Sequence, residues 1–255
     1  MTLYERYMAD KKAGNLGIMP KWNKKGNVKL GNAMWSFSTL YGNIEHHVDK
    51  LGIDVKGTCG HYCNGCMSEC YVRSSYRYGS VIYGHARNTI AIRNSLENSF
   101  FELNAYIDRA KNKPSIIRYD QSGELESIEQ LHMFASLAWA HSDIKFYIYT
   151  KAYDIIIPAL LNGEIPSNMI VNISIWHEYG IKEYLKVAHL ENVKAFVCVD
   201  DEWTLEEYAK HGIIIETMCK AYDENGHLDH NVTCDKCGKC FEIRKNAKVI
   251  GCYKH

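Results

Sequence analysis

Between residues 115 and 217, five short runs rich in β-branched and aromatic residues recur: SIIRYD (115–120), KFYIYT (145–150), MIVNISIW (169–176), VKAFVCVD (193–200) and IIIET (213–217). Stretches of helical periodicity separate them, which is the pattern of repeated βα units around a parallel sheet. The runs are apolar nearly throughout instead of alternating, so the strands are expected to be covered on both faces. A further strand in NAMWSFSTLYG (32–42) or GIDVKG (52–57) brings the count to six units. An α/β fold, a parallel sheet or a partial (β/α)6 barrel, is what such a chain can form.

The helices between these strands carry their own punctuation. A long amphipathic helix is predicted over about 88–112, with Leu96, Phe100, Leu103 and Ile107 on one stripe. Ser127 and Gln130 fit a capping box, and Pro158 suits the first turn of a short helix near 155–161. Another helix is expected over 178–189; Thr204 and Glu207 cap the next, which Gly212 ends. Polar residues gather past the strand ends: Asp120 to Glu124, Thr150 and Lys151, His177 and Glu178, Asp200 to Glu202, Glu216 and Thr217. In parallel α/β sheets and barrels, the carboxyl ends of the strands are where function resides.

Thirty basic and thirty acidic side chains cancel, so no whole-molecule field calls for nucleic acid or anionic lipid. The first thirty-odd residues, including KKAGNLGIMPKWNKKGNVK, form a locally basic arm, read as a solvated tail or a nucleic-acid grip. No apolar signal region and no run of about 18 apolar residues occurs, so a cytoplasmic protein without membrane contact is expected.

Ten cysteines in a reducing compartment point to metal or redox chemistry instead of disulfides. Four of them, Cys59, Cys63, Cys66 and Cys70, fall within TCGHYCNGCMSECY (58–71). Cys59, Cys63 and Cys66 have the spacing CxxxCxxC, which suits three irons of a [4Fe–4S] cubane with the fourth open to a ligand. Tetrahedral zinc is the alternative. Cys234, Cys237 and Cys240 form CxxCxxC, a ferredoxin-type spacing that needs a fourth ligand from Cys219 or Cys252, again with zinc as the rival. Cys198, inside an apolar strand, reads as a buried small residue.

The CxxxCxxC spacing, the six βα units and SGE (122–124) one unit later resemble the radical S-adenosylmethionine superfamily. A closer resemblance is to the phage-type gene product 88 family, a radical-S-adenosylmethionine-like group. It rests on Cys59, Cys66, Cys70 and Tyr71, on IIRYDQSGE and FYIYTK, and on the C-terminal cysteine run. The two resemblances select different cysteines, Cys59, Cys63 and Cys66 against Cys59, Cys66 and Cys70, and the choice stays open. Gly65 stands where the superfamily has an aromatic residue before its third cysteine.

The resemblance implies a partial (β/α)6 barrel of radical-S-adenosylmethionine type over 34–218, with its cluster loop at 58–71. A basic arm (1–33) would precede it, and a C-terminal cysteine-rich auxiliary-cluster extension (219–255) would follow. It implies an enzyme with two [4Fe–4S] clusters that cleaves S-adenosylmethionine reductively to a 5′-deoxyadenosyl radical. The electron would come from a flavodoxin or ferredoxin, and the substrate could be a peptide, a nucleobase or a small metabolite. Ser122, Gly123 and Glu124 would meet the cofactor's ammonium group, and Cys219 is the favoured fourth ligand of the second cluster. Lys151 could meet a cofactor carboxylate or a substrate anion, and Ser174 the cofactor's ribose or carboxylate. No catalytic side chain is identified. YVRSSYRY, with Tyr71, Tyr76 and Tyr78 alternating with Arg73 and Arg77, mixes stacking and charge. The alternative is a non-catalytic phage or mobile-element zinc protein that binds nucleic acid.

Overall fold

The computed structural model describes residues 1–24, 29–31, 33–225, 227–243 and 247–254. Helix α1 (Leu3–Ala13) opens the chain, started by a capping box between Thr2 and Glu5 and closed by Gly14 at φ +76°. Its Tyr7 is buried, packs on Phe101 and donates to Glu102, which also pairs with Lys11. The segment expected as a solvated basic arm therefore begins as a docked helix; residues 25–28 and 32 of it lie outside the described residues.

Strand β1 (Met34–Ser36) is followed by an antiparallel hairpin, β2 (Glu45–Val48) and β3 (Ile53–Lys56), before the cysteine loop. Both segments expected to hold a first strand are strands, and NAMWSFSTLYG supplies the one in the main sheet. Helix α2 (Asn64–Ser68) and a 3-10 turn over Tyr71–Arg77 carry the cysteine loop into α3 (Gly79–Asn94) and α4 (Leu96–Asp108). The single helix expected over 88–112 is broken at Ser95. Its backbone is extended (φ −164°, ψ 108°) and its hydroxyl accepts from Asn98 N as the N-cap of α4. A serine side chain competing for backbone donors restarts the helix there.

Four regular units follow: β4 (Ile116–Tyr119) and α5 (Ile128–Ala140), β5 (Lys145–Thr150) and α6 (Tyr153–Leu161), β6 (Met169–Trp176) and α7 (Ile181–Val187), β7 (Val193–Val199) and α8 (Leu205–Lys210). The chain ends with β8 (Thr217–Met218), a short α9 (Cys234–Cys237) and β9 (Val249–Tyr253).

The seven-stranded sheet has the order β1-β4-β5-β6-β7-β9-β8, and every neighbouring pair is parallel. Its edges, β1 and β8, are not paired with each other among the described residues, so the fold is α/β with a parallel sheet that does not close. The run IIIET contributes only its last residue to β8. The place beside β7 is taken by β9, from the segment expected as an appended cysteine-rich extension. Gly251 permits this: a Cβ there would lie 2.5 Å from Met218 Sδ. The C-terminal residues are thus part of the sheet.

Side chains alternate across the strands. One face, with Ile117, Tyr119, Phe146, Ile148, Val171, Ile173, Ala195 and Val197, packs against the helices as the main core. Helix residues such as Phe134, Leu137, Ile156 and Tyr184 belong to the same core as that strand face. The opposite, inner face carries Met34, Ile116, Tyr147 and Ile170, covered by Leu30 and Phe241. Lys194, 2% exposed on this inner face, donates to Lys239 O at 2.7 Å and Ala247 O at 2.9 Å, and so ties the C-terminal segment down over the sheet.

Candidate metal and cofactor site

The first cysteine loop is laid against the chain by backbone bonds: Thr58 N donates to Leu40 O and Cys59 N to Gly42 O, each at 2.9 Å. Gly57 allows that approach, since a Cβ would stand 2.2 Å from Tyr41 O. Cys63 is the N-cap of α2, Cys66 lies one turn on, and Cys70 begins the 3-10 turn. Cys66 is the common electrostatic neighbour of Cys59, Cys63 and Cys70. Burial pushes those three thiols up, for Cys59 with the Glu124 carboxylate adding to the effect. All four are free thiols at one place, and neither subset stands out. Among the described residues no group of three or more potential ligands converges on a single ion. Gly65 packs on Trp176 of β6, whose Nε1 would be 2.3 Å from a Cβ. The aromatic group missing from the loop's own sequence is supplied by the sheet.

The SGE turn follows β4. Gly123 has φ +85°, and a Cβ would meet Thr39 Oγ1 at 1.9 Å and Thr58 Oγ1 at 2.6 Å. Glu124, expected to face a cofactor, is used within the fold. Its Oε1 accepts from Thr150 Oγ1 (2.8 Å) and Leu125 N (2.9 Å), and its Oε2 from Lys151 N (2.7 Å), joining the ends of β4 and β5. The other buried carboxylate is Asp120. It is 5% exposed, with the Thr39 side chain as a hydrogen-bond partner and Arg118 as the opposite charge nearby. Burial first, then the Glu124 and Glu126 carboxylates, push its pKa well up. Ser122 is likewise buried, and its side chain is hydrogen-bonded with Tyr76. Lys151 resists the downward pull of burial because its ammonium faces Cys66 and Cys63. Ser174 lies on the inner face of β6, and its carbonyl accepts from Tyr153 OH at 2.5 Å.

In the C-terminal segment, Cys234 N donates to Lys29 O at 2.7 Å and Cys219 N to Gly251 O at 2.6 Å. Cys219, Cys234, Cys237 and Cys240 are mutual electrostatic neighbours. Cys252, in register with Cys198 across β7 and β9, has its thiol in contact with that of Cys219. That contact, with Lys29 and Lys239 nearby, favours the Cys219 thiolate against burial and lowers its pKa. Both rivals for a fourth ligand are therefore at the same place.

The gene product 88 family model matches residues 10–243, nearly the whole chain. The chain belongs to the gene product 88 family. The matched span includes both cysteine runs and Cys219 and ends before Cys252. No curated protein and no solved structure matches the chain. No helix among the described residues is long and apolar enough to cross a membrane.

This gene product 88 protein brings Arg118, which the sequence did not single out, to the strand ends, along with His177 and Asp200 from the polar groups past them. Arg118, inside the run SIIRYD, lies on the inner face with its guanidinium 4.6 Å from the Tyr149 ring centre. Burial opposes its charge, but Tyr71, Tyr147, Tyr149 and Cys234 hold it ionised. Nη2 lies 3.5 Å from Tyr71 OH, and Nε has no partner. Tyr71 also donates to Gln121 O. Arg118 therefore stands between the two cysteine groups, next to the tyrosine that follows Cys70. At the end of β6, His177 Nε2 lies 2.8 Å from Asp200 Oδ2, and the imidazole stacks on Trp203 at 8°. Among the described residues, Asp120 (φ +45°) and His177 (φ +54°) alone have left-handed backbone without being glycine. Such strain gathers at functional sites. The alternation of the strand runs was the one signal that could have placed Arg118 inward, opposite Ile117.

Proposed function

We propose that this gene product 88 protein is an iron–sulfur protein that binds S-adenosylmethionine at the first cysteine loop and acts as a radical enzyme. The observation that carries the reading is the placing of four thiols on one loop, Cys59 within electrostatic reach of Glu124, with the buried Asp120 carboxylate beside that same glutamate, at the carboxyl ends of a parallel sheet. The donor set fits a thiophilic cluster, and the buried carboxylate, with acceptor capacity beyond its Thr39 bond, fits an ammonium group. Together, bound cluster and cofactor would supply one-electron cleavage of the sulfonium C–S bond, giving methionine and a 5′-deoxyadenosyl radical.

The chain's own residues have the remaining tasks. Three of Cys59, Cys63, Cys66 and Cys70 would ligate the cluster, and Lys151 would offset their negative charge. Asp120 Oδ1 and Oδ2, with Ser122 Oγ, would accept from the cofactor's ammonium, while Glu124 holds the turn in shape through Thr150 and Lys151 N. Arg118 would orient an anionic group between the two cysteine sets. The C-terminal segment, tied down by Lys194, would exclude water from the inner face. Cys234, Cys237, Cys240 and Cys219 would hold a second cluster for electron relay or substrate anchoring.

Metal and acid-labile sulfide analysis of protein purified without oxygen tests this reading. The expected result is about eight irons with matching sulfide, and a broad absorption near 400 nm that bleaches with dithionite. About two zincs without sulfide would overturn it and favour a zinc protein.

A further inference from the structure

A cavity of about 680 Å³ opens between the start of β8 and the α9 segment, away from the first cysteine loop. That volume is in the range of small-ligand sites. Three lysines line it, Lys220, Lys236 and Lys239, together with Thr217, Thr233 and Asn231. The one acid in its wall, Glu216, already accepts from Lys248 N (3.0 Å) and Val249 N (3.3 Å) through Oε1.

The lysines are not all accounted for by the cysteines beside them. Lys29 and Lys239 favour the thiolate of Cys219, and Lys239 also donates to Thr217 Oγ1. They are placed to offset the negative charge of the second cysteine group. Lys220 and Lys236 are exposed, and neither has an ion-pair partner among the described residues. In a chain whose formal charges sum to zero, this is a local surplus of positive charge in a concave site. Asn231 adds an amide donor, while the Thr233 hydroxyl donates to Asp235.

We infer that this cavity binds a phosphorylated small molecule, held by Lys220 and Lys236 as point charges and by Asn231 as a hydrogen-bond donor. Ammonium groups on flexible stems suit a phosphate, whose charge is spread over several oxygens. No aromatic side chain among the described residues lines it, which favours a compact anion over a nucleic-acid strand held by base stacking. The ligand would lie beside Cys237, which also lines the cavity. Neither Lys220 nor Lys236 takes part in the proposed cofactor site, so the anion site stands or falls whatever metal the cysteines hold.

Calorimetric titration of the full-length protein at low salt, with inorganic pyrophosphate, ADP and adenosine, tests the site. Pyrophosphate and ADP should bind with one-to-one stoichiometry and adenosine should not. The double variant Lys220→Ala/Lys236→Ala should bind at least about tenfold more weakly, as expected for the loss of two charge-assisted contacts. Its melting temperature and metal content should match those of the unaltered protein, and Lys182→Ala/Lys186→Ala on α7 should bind normally. Absence of saturable binding, or binding that survives in the Lys220/Lys236 variant, overturns the assignment. So does a single-stranded oligonucleotide that binds more tightly than pyrophosphate and is lost in the same variant, because the surface would then serve nucleic acid.

Discussion

His177 Nε2 and Asp200 Oδ2 meet at 2.8 Å across the ends of two neighbouring parallel strands, with Trp203 stacked on the imidazole. Asp200 also caps its own turn by accepting from Glu202 N (3.1 Å) and Trp203 N (2.8 Å) through Oδ1. Burial opposes its charge, but the His177 bond and these backbone donors depress its pKa.

Asp200→Ala should therefore cost about 1–3 kcal/mol at pH 7, the worth of hydrogen bonds to a charged group. A depressed folded-state pKa contributes stability that is complete above the unfolded carboxylate value, about 4, and is lost as pH falls through the lower folded value. Urea unfolding of the two proteins should show a constant gap from pH 7 to about 5, closing below about 4. A gap that stays constant at acid pH would mean that Asp200 acts through packing alone.

Asp120 has the opposite sign. Its folded pKa is raised by burial and by Glu124, so its ionisation destabilises the ligand-free fold as pH rises above about 4. Asp120→Asn should match the unaltered protein in stability below pH 4 and exceed it at pH 7, while weakening S-adenosylmethionine binding by at least about tenfold. Denaturant unfolding at the two pH values, with equilibrium dialysis of the cofactor, checks both halves. Equal cofactor affinity in the variant would remove Asp120 from the site.

Gly123→Ala forces a side chain into left-handed backbone and against Thr39 Oγ1, and should cost about 2–4 kcal/mol. Gly163→Ala, with φ +71° but nothing within 4 Å of the added Cβ, should cost only about 1–2 kcal/mol. Thermal unfolding separates the two. Equal losses would show that the crowding at Gly123 is relieved by relaxation.

Gly65 and Trp176 form a complementary pair, glycine on the cysteine loop and indole on the sheet. Gly65→Ala alone should destabilise the loop, and Trp176→Ala should make it tolerable. A double-mutant cycle should return a coupling of about 1 kcal/mol or more. Additive effects would separate the loop from β6.

The ligand set of the first loop is decided by iron content. Cys59→Ser and Cys66→Ser should each lower anaerobically bound iron from about eight to about four per chain. Of Cys63→Ser and Cys70→Ser, only one should do the same, and that variant names the third ligand. Full iron in either Cys59→Ser or Cys66→Ser would contradict both candidate sets.

Strands β4 to β7 were legible because each is an apolar, β-branched run bounded by helical periodicity, which local chemistry alone enforces. The break at Ser95 was present in the sequence as a serine at a cap position, but the apolar stripe from Leu96 to Ile107 was read through it. Strand β9, VIGCY, was missed: it is short, contains glycine and cysteine, and resembles the irregular cysteine-rich residues before it.

The sequence by itself determined an α/β chain with a parallel sheet, two cysteine groups of metal-binding spacing, and membership of the gene product 88 family. Those properties reside in local periodicity and residue order. Only the tertiary structure decided that the sheet stays open, that the C-terminal strand enters beside β7, and that Trp176 fills the space over Gly65. The same holds for Glu124, which is consumed inside the fold while Asp120 keeps acceptor capacity beyond its Thr39 bond. These outcomes depend on which side chains meet across strands distant in sequence, and the spacing of residues along one strand carries no record of its neighbour.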